Sequence, residues 1–396
     1  MSKLNIALIG AGRRGAGAHL PVIAKLNDVY NLVAICDMDE PTAKSMAGKY
    51  GVNAYTNIRD LVKHEQLDVA DITVPGSAHH AIACFVADAG VNIVCETPIA
   101  VTLPLSDMMI EAAERNSVKL EIAENYYRAP RERFMSKVIE AGVIGKVARI
   151  YRIFYEGGYH GMSMLRLRAG GEPISILGIT QSSEIIPIID RMKRHHTSEN
   201  WSLGFLEFDN SATALMTYSN VIHARSLGRG QNGISQIDGS KGTIVGETIY
   251  VVPPEDLESG AQGKPCNPKR TTIEVDGVNV LDKIEVELPD QKVVWENSLK
   301  IYPLSEGQIA VADELLSIAK AVINDTEPEY GALAGRQDQE MNLAMSESAL
   351  RSRETITFPL KELTQTEQNI HERIKEQFGC DPEDVEKLVD TFFPRR

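Results

Sequence analysis

The sequence predicts an α/β protein in which a doubly wound parallel sheet precedes a second α/β region with a large, mainly antiparallel sheet. Three observations predict this class. Short apolar runs alternate with helix-length segments up to about residue 123, a glycine-rich turn follows the first run, and longer alternating runs begin after residue 144. Strand–helix alternation is typical of a parallel sheet, and alternating apolar and polar residues indicate antiparallel strands with one covered face.

The first element is a strand from Leu4 to Ile9, which leads into the turn Gly10-Ala11-Gly12-Arg13-Arg14-Gly15 and then into an apolar-periodic helix. Gly10 permits a tight turn, Gly12 lets the backbone approach a pyrophosphate, and Gly15 lets the helix pack closely on the strand. Free N–H groups and the helix dipole favour an anion at this helix N-terminus. The turn therefore predicts a dinucleotide site.

The second strand, Asn31 to Cys36, ends at Asp37, which lies 22 residues beyond Gly15. A carboxylate near this position accepts hydrogen bonds from the ribose hydroxyls and repels a 2′-phosphate. The sequence therefore favours NAD over NADP, although Arg13 and Arg14 weaken the preference because either can reach a phosphate. The alternative is that Asp37 and Asp39 only cap the next helix.

The remaining elements complete the pattern. Strands are expected at 69–74, 92–95 and 118–122, and helices near 15–27, 40–50, 57–64, 78–89 and 104–116. Alternating runs predict later strands at 147–155, 202–208, 212–218 and 243–252, whereas 175–189 is expected to be helical. We expect a dinucleotide-binding domain at 1–125, a substrate-binding and oligomerisation domain at 126–358 with a loop or insertion at 253–297, and a helical tail at 359–396.

Composition excludes several classes of protein. The chain has 396 residues and a formal net charge of −14 with no basic stripe, which argues against nucleic acid or an anionic membrane as a partner. Its five scattered cysteines indicate neither a disulfide framework nor a structural zinc site. No apolar stretch approaches the roughly 18 residues of a membrane span, and the first residues already form a strand rather than a signal peptide. We expect a cytoplasmic protein with a small polar substrate.

Five motifs together resemble the Gfo/Idh/MocA oxidoreductase family over about residues 3–360. They are the Gly10 to Gly15 turn, Asp37, Val74-Pro75-Gly76-Ser77-Ala78-His79, Cys95-Glu96-Thr97-Pro98 and Glu347-Ser348-Ala349. The resemblance implies a Rossmann domain followed by an α/β domain whose open sheet face builds homodimers or homotetramers. It also implies cofactor-side positions for Val74, Pro75, His79, Glu96 and Thr97, although His79 can instead be a polar start to the following helix.

The chain departs from the family pattern at the residues that transfer a proton. Thr97 stands where the family has a lysine, and a threonine hydroxyl is a poor base near neutral pH. Aligning the family's glycine-rich stretch with Gly170 through Thr180 places Ile176 and Thr180 at its aspartate and histidine. On this alignment the usual lysine, aspartate and histidine are all absent, and Thr97 and Thr180 remain as substrate-side residues.

Replacement groups are expected in two segments. Tyr126 and Tyr127 follow the last strand of the first sheet beside Glu124, so either tyrosine can donate to a substrate oxygen while Glu124 orients hydroxyl groups. One of the two tyrosines is expected to be buried packing. The second segment centres on His160, which is flanked by glycines and whose side chain suits a base near neutral pH.

The segment around His160 contains further candidates. Tyr159 precedes the histidine, and Arg166 and Arg168 can grip a substrate carboxylate or phosphate, or else face solvent or pair with Glu172. We expect no metal, because nothing in the spacing requires Glu156 and His160 to share one with a distant residue.

These observations predict an NAD-dependent oxidoreductase that acts on a hydroxyl of a sugar, glycoside or cyclitol, with His160, Tyr126 or Tyr127 taking the proton. One alternative is a redox-neutral elimination that cleaves a glycoside while NAD is only transiently reduced. The other is a non-catalytic protein that binds NAD or a sugar.

Overall fold

A computed structural model describes residues 3–190, 193–223, 227 and 233–394 of the protein. Its strands are β1 (Leu4–Ile9), β2 (Tyr30–Cys36), β3 (Asn53–Tyr55), β4 (Val69–Ile72), β5 (Asn92–Cys95), β6 (Leu120–Ile122), β7 (Val147–Ile153), β8 (Pro173–Ile189), β9 (His195–Phe208), β10 (Thr213–Ser219), β11 (Ile234–Gly239), β12 (Gly242–Val245), β13 (Thr248–Val251), β14 (Lys264–Cys266), β15 (Lys269–Val275), β16 (Val278–Glu287), β17 (Lys292–Glu296) and β18 (Ile356–Thr357).

The α-helices lie between these strands and at the C-terminal end. They are α1 (Leu20–Ile23), α2 (Glu40–Tyr50), α3 (Ile58–His64), α4 (His79–Asp88), α5 (Leu103–Arg115), α6 (Pro130–Glu140), α7 (Gly158–Ala169), α8 (Asn220–His223), α9 (Glu306–Asn324), α10 (Ala332–Leu350), α11 (Gln365–Phe378) and α12 (Val385–Phe392). A π-helical turn, Gly15–His19, leads into α1.

Six parallel strands of the described chain form the first sheet in the order β3-β2-β1-β4-β5-β6. The strand order reverses between β1 and β4. A crevice opens there at the carboxyl ends of the strands, and ligands bind in such a crevice in doubly wound sheets. The predicted parallel sheet is confirmed, and β3 is a short edge strand that the apolar pattern missed.

The second sheet contains nine strands within the described residues, in the order β14-β13-β12-β11-β7-β10-β9-β8-β18. Its strands pair antiparallel except for β10 and β7, which are parallel. The predicted fold class is therefore confirmed, with one parallel pair making the large sheet mixed.

The helix expected at 175–189 is wrong, because β8 covers this segment and pairs with β9 along most of its length. Its isoleucines are β-branched and pack well on a pleated sheet, which favours a strand. Gly178 also allows β8 to lie against α10, since a Cβ there would stand 1.9 Å from the Met345 carbonyl oxygen. The packing against α10 is a long-range contact that the local pattern does not contain.

The segment 253–297, expected to be a loop or an insertion, is mostly extended rather than a loop, and its interpretation as an insertion stays a prediction. Strands β15, β16 and β17 form a three-stranded antiparallel sheet within it, and β14 joins the edge of the large sheet. The Pro-, Gly- and charge-rich stretch before β14 contains no strand. It includes one 3-10 turn, Pro254–Asp256.

The tail contains two helices, α11 and α12, joined and flanked by non-helical residues, and its last two residues lie outside the described ranges. It returns to the first sheet's helices: Glu367 accepts a hydrogen bond from the Leu103 backbone N–H at 2.8 Å, and His80 Nε2 lies 2.7 Å from the Pro382 carbonyl oxygen. Leu388 and Val389 are fully buried in the same apolar cluster as α4. In the described ranges, no helix combines the length and apolarity that a membrane span requires.

Candidate functional site

The glycine turn has the geometry of a phosphate cradle. Gly10 has a φ of +94°, which favours glycine. A Cβ on Gly15 would lie 2.4 Å from the Gly10 carbonyl oxygen, so only glycine permits this packing. A Cβ on Gly12 would meet nothing within 4 Å, so the turn faces open space there. The three glycines therefore leave room for a pyrophosphate at the start of the helix.

Asp37 stands at the end of β2, beside the turn. One of its carboxylate oxygens accepts a hydrogen bond from the Ala11 N–H at 2.7 Å, and the other accepts from the Asp39 N–H at 2.9 Å. Asp39, rather than Asp37, caps α2 by accepting from Thr42 N–H at 3.0 Å. The two aspartates thus have different roles, and Asp37 is held in place facing the crevice.

A cavity of about 380 Å³ lies in the crevice. Its lining includes Gly10, Gly12, Arg13, Arg14, Asp37, Met38, Val74, Pro75 and Ile82 from the first sheet and its helices. Two residues from the other end of the chain, Phe392 and Phe393, complete its wall. The predicted cofactor-side residues of the turn, of β2 and of the Val74-Pro75 segment are therefore brought together at one cavity. The open space at Gly12, the Asp37 carboxylate and the apolar lining of the cavity together fit a dinucleotide.

A buried charged cluster lies at the inner end of the crevice. His19 Nδ1 is 2.9 Å from Asp71 Oδ2, and His19 Nε2 is 2.8 Å from Glu96 Oε1. Arg14 also donates to Glu96. Glu314 of α9 completes the cluster, with one oxygen 3.8 Å from His19 Nε2.

Burial alone would lower the pKa of His19, but the charge of Asp71 and the hydrogen bonds to Asp71 and Glu96 outweigh it and raise this pKa to about 10. Burial likewise opposes ionisation of Glu96, but His19 and Arg14 lower the pKa of its carboxyl group to about 2. Burial and the nearby Glu96 raise the pKa of Glu314 well above its usual range. Two basic side chains, Arg14 and His19, thus lie among the carboxyl groups of Asp71, Glu96 and Glu314.

His19, Glu96 and Glu314 have ligand atoms within 4.8 Å of one another, which is a spacing that a metal ion can use. However, Arg14 and His19 already bind Glu96, and Arg14 also lies 4.0 Å from Glu314. The carboxyl groups that could bind a metal ion thus already have basic side chains as partners. The expectation of no metal stays a prediction.

Thr97 and Pro98 follow Glu96 and are joined by a cis peptide bond, a point that the sequence left open. The Thr97 N–H donates to Glu96 Oε2 at 3.1 Å. His79 is buried, with its two ring nitrogens 2.8 Å and 2.9 Å from the carbonyl oxygens of Pro98 and Val74. His79 therefore links the Pro98 and Val74 loops of the crevice, and its role beside a cofactor stays a prediction.

His160 and Glu124 form a histidine–carboxylate pair. His160 Nδ1 lies 2.8 Å from Glu124 Oε2, and the other oxygen of Glu124 accepts from the Tyr126 N–H at 2.9 Å. The Tyr126 ring stacks on the imidazole, with centroids 4.1 Å apart. The His160 side chain remains 30% exposed, and its Nε2 meets no hydrogen-bond partner in the described part of the chain. This nitrogen is therefore accessible to a ligand.

Burial would lower the pKa of His160, but the charge of Glu124 and its hydrogen bond outweigh burial and raise it above the ordinary value. Glu96 is near enough for its charge to act in the same direction. Burial raises the pKa of the Tyr126 hydroxyl, so this group stays protonated at neutral pH and can donate a hydrogen bond but cannot act as a base. Of the predicted proton-transfer groups, His160 has the most suitable geometry and charge.

Tyr127 does not fit its predicted catalytic role. Its ring is buried against Tyr330, with centroids 5.5 Å apart, and the guanidinium groups of Arg128 and Arg133 lie 4.9 Å and 4.8 Å from its centroid. Arg128 is itself fully buried and pairs with Glu121 at 2.5 Å. Tyr127 is therefore the buried packing member of the tyrosine pair.

The other substrate-side candidates on α7 are engaged inside the protein. The Tyr159 hydroxyl is buried and donates to the Tyr330 hydroxyl at 3.2 Å. Arg166 donates to both oxygens of Asp338 at 2.7 Å and 2.9 Å, and Arg168 donates to Glu132 at 2.8 Å. The expectation that these arginines grip a substrate anion is not met, because carboxylates of the chain already bind them.

The alignment that placed Ile176 and Thr180 at the family's aspartate and histidine loses its basis. Both residues lie on β8, where Ile176 is buried and Thr180 is exposed opposite Ser202. The helix that begins beside a glycine pair is α7, which starts at Gly158. No hydrogen bond among the described residues links Thr180 to the crevice.

Several residues of the site were missed by reading the sequence. His19, Asp71 and Glu314 form the charged cluster, and Phe392 and Phe393 line the cavity. A histidine within the apolar stretch after the glycine turn was the one local signal for the cluster. The sequence of the tail contains no local signal for Phe392 and Phe393, because the tail reaches the cavity through a long-range contact.

The fold and the site define a dinucleotide-binding α/β protein with a histidine–carboxylate pair close to its cofactor crevice. Residues 4–124 match the family model described as "Oxidoreductase family, NAD-binding Rossmann fold". Over this segment, which is less than half of the chain, the protein therefore matches the Gfo/Idh/MocA oxidoreductase family, and its first sheet and helices have that family's NAD-binding Rossmann fold.

Two curated relatives give a measure of the similarity. The chain is 30% identical to levoglucosan dehydrogenase of Pseudarthrobacter phenanthrenivorans over 154 residues, which cover 37% of this chain and 40% of that protein. It is 27% identical to inositol 2-dehydrogenase of Salmonella typhimurium over 157 residues, which cover 38% and 46%. The matched segments thus span less than half the length of either relative.

The structural similarity extends further than these alignments. A levoglucosan dehydrogenase solved in complex with NADH and levoglucosan superposes with a TM-score of 0.68. The sequence identity is 20%, and the match covers 91% of this chain and all of that one. Both regions of the chain therefore have the fold of that protein.

Proposed function

We propose that the protein is an NAD-dependent oxidoreductase that acts on a hydroxyl group of a sugar, glycoside or cyclitol. The observation that carries the proposal is the His160–Glu124 pair, whose exposed Nε2 stands near Glu96 and the crevice of an NAD-binding domain. The relatives named as dehydrogenases of levoglucosan and inositol support a polyhydroxylated substrate.

The residues of the chain have separate roles in this proposal. The Gly10 to Gly15 turn would hold the pyrophosphate and Asp37 the ribose, and NAD, when bound, supplies a hydride acceptor. His160 Nε2 accepts the proton of the substrate hydroxyl, and Glu124 stabilises the imidazolium ion that forms. Tyr126 holds the imidazole ring by stacking and is itself partly exposed.

Thr97 stands at the position of the family's lysine but is not assigned the proton. Its hydroxyl can donate a hydrogen bond to a substrate oxygen, which fits its position after Glu96. The lysine of the family pattern is therefore replaced in function by a base on a different element, the first turn of α7.

The test is to incubate the purified protein with NAD and a panel of sugars, glycosides and cyclitols, and to follow absorbance at 340 nm together with product mass. Net dehydrogenation gives NADH, whereas a redox-neutral elimination changes the substrate mass without accumulating NADH. His160→Gln is expected to lose about a hundredfold or more of the rate, and Thr97→Ser to keep most of it. Full activity of His160→Gln would contradict the assignment of the base, and no turnover on any substrate would favour a non-catalytic binding protein.

We also propose that the open face of the large sheet joins subunits into a homodimer or homotetramer. The outer part of β8 exposes large apolar side chains, with Ile186 70% and Ile189 59% exposed. Light scattering coupled to size-exclusion chromatography is expected to give a multiple of the chain mass, and Ile186→Asp to reduce it. A monomeric wild-type protein would contradict this proposal.

A further inference from the structure

We infer that the C-terminal tail forms part of the cofactor site, where Phe392 and Phe393 wall the adenine end of the crevice and slow the release of NAD. This inference rests on the proposed function only in its use of NAD as the bound cofactor. It assigns a binding role to a segment that lies outside the strands and helices of the Rossmann domain.

Phe392 and Phe393 lie at the cofactor cavity. They line the same cavity as the Gly10 to Gly15 turn and Asp37, together with the apolar side chains of Met38 and Ile82. In a doubly wound sheet the pyrophosphate lies at the glycine turn and the ribose at the carboxylate that ends β2. The base attached to that ribose must then lie beyond Asp37, which is where the apolar wall stands.

Buried side chains anchor the tail to the protein. Leu388 and Val389 of α12 are fully buried, and Phe393 is 3% exposed. Phe392 differs because it is only half-buried, with its ring in edge contact with Phe378 at a centroid distance of 5.1 Å. The anchors hold α12 against α4 while Phe392 keeps a surface toward the cavity.

Polar contacts fix the end of the tail to α3. Asn57 Nδ2 donates to the carbonyl oxygens of Phe393 at 3.2 Å and Pro394 at 3.0 Å. Arg59 forms an ion pair with Asp390 at 2.7 Å. Asn57 and Arg59 stand at the first turn of α3. These contacts close the tail over the cavity after the chain has crossed the surface of the Rossmann domain.

The aromatic character of Phe392 suits contact with a nucleotide base. An aromatic side chain can stack on adenine, and such stacking is expected to strengthen binding by roughly tenfold. A wall that must move before the base can leave also lowers the dissociation rate. Tail closure therefore favours a cofactor that stays bound through many turnovers.

The test compares two substitutions of one ring pair. Phe392→Leu removes the ring that faces the cavity, and Phe378→Leu removes its partner, which does not line the cavity. Calorimetry with NAD, ADP-ribose and nicotinamide mononucleotide separates the adenine end from the nicotinamide end. Phe392→Leu is expected to weaken NAD and ADP-ribose by about tenfold each and to leave the mononucleotide unchanged, whereas Phe378→Leu leaves all three unchanged.

A second variant tests the closure itself. Asn57→Asp keeps the oxygen that accepts from the Arg59 N–H and caps α3, but it replaces the amide donor with a carboxylate oxygen that faces two carbonyl oxygens. It is expected to raise the NAD dissociation rate, measured by displacement in stopped flow, while both phenylalanines remain.

Unchanged NAD affinity in Phe392→Leu together with an unchanged dissociation rate in Asn57→Asp would overturn the inference. Tighter binding of NAD by Phe392→Leu would also overturn it, because the tail would then compete with the adenine. A wild-type protein that binds no NAD would defeat the proposed function as well, so the two failures can be told apart.

Discussion

His19 Nε2 lies 2.8 Å from Glu96 Oε1, and the same imidazole reaches Asp71 through its other nitrogen. The ring is fully buried and joins the first turn of the Rossmann helix to the loop that carries Thr97. The loop that carries Thr97 in place of the family's lysine is therefore held in position by His19 through Glu96.

This arrangement predicts a stability that falls with rising pH. The pKa of His19 is raised to about 10, above its ordinary value of 6.5, so its contribution is fully present below 6.5 and is lost as the pH rises through about 10. His19→Gln is expected to lose about 3 kcal/mol of unfolding free energy at pH 6 and to show a weaker decline between pH 6.5 and 10. Urea unfolding at a series of pH values measures both, and parallel pH curves for the two proteins would contradict the assignment.

The pair of Glu124 and His160 predicts a shift in the pH–rate profile. Glu124 raises the pKa of His160, so Glu124→Gln is expected to move the rising limb of kcat/KM to lower pH and to lower the plateau by about tenfold, because a weaker base remains. Tyr126→Phe keeps the stacked ring and is expected to leave the position of the limb unchanged. A limb that moves in Tyr126→Phe but not in Glu124→Gln would identify the tyrosine as the titrating group.

The first sheet could be predicted from the sequence because its signals are local. Every strand of this sheet except β3 is a short, largely apolar run, and Gly10, Gly15 and Asp37 stand at fixed spacings beside the first two strands. The His160 segment was predicted for a similar reason, since glycines flank the histidine within a few residues.

The charged cluster could not be predicted in the same way. His19 meets its partners 52 and 77 residues further along the chain, and Glu314 comes from a helix of the second region. The roles of Arg166 and Arg168 were mistaken for a related reason. Local sequence shows their charge, but the acids that neutralise them, Asp338 and Glu132, are brought near only by the packing of α7.

The pairing of Arg166 with Asp338 predicts a structural effect of mutation. Asp338 is fully buried, so Arg166→Leu leaves its carboxyl group with the Tyr330 hydroxyl but without a cation, and is expected to cost about 3 kcal/mol or more of unfolding free energy. The substrate KM of the folded fraction is expected to stay unchanged. Adding Asp338→Asn should restore part of the stability, which denaturant unfolding would measure. A large rise in KM with unchanged stability would instead return Arg166 to the substrate site.

The position of Asp37 predicts the cofactor preference. Asp37→Asn keeps an oxygen that can accept from the Ala11 N–H, but it removes the negative charge from the crevice. Hydrogen bonds to a charged acceptor are stronger than those to a neutral one by about 1 kcal/mol, so NAD affinity is expected to fall by roughly tenfold. NADP affinity is expected to rise, because the 2′-phosphate is no longer repelled and the exposed Arg13 lines the same cavity. Titration of both cofactors into wild-type and variant protein measures the ratio, and an unchanged ratio would mean that Asp37 only orders the glycine turn.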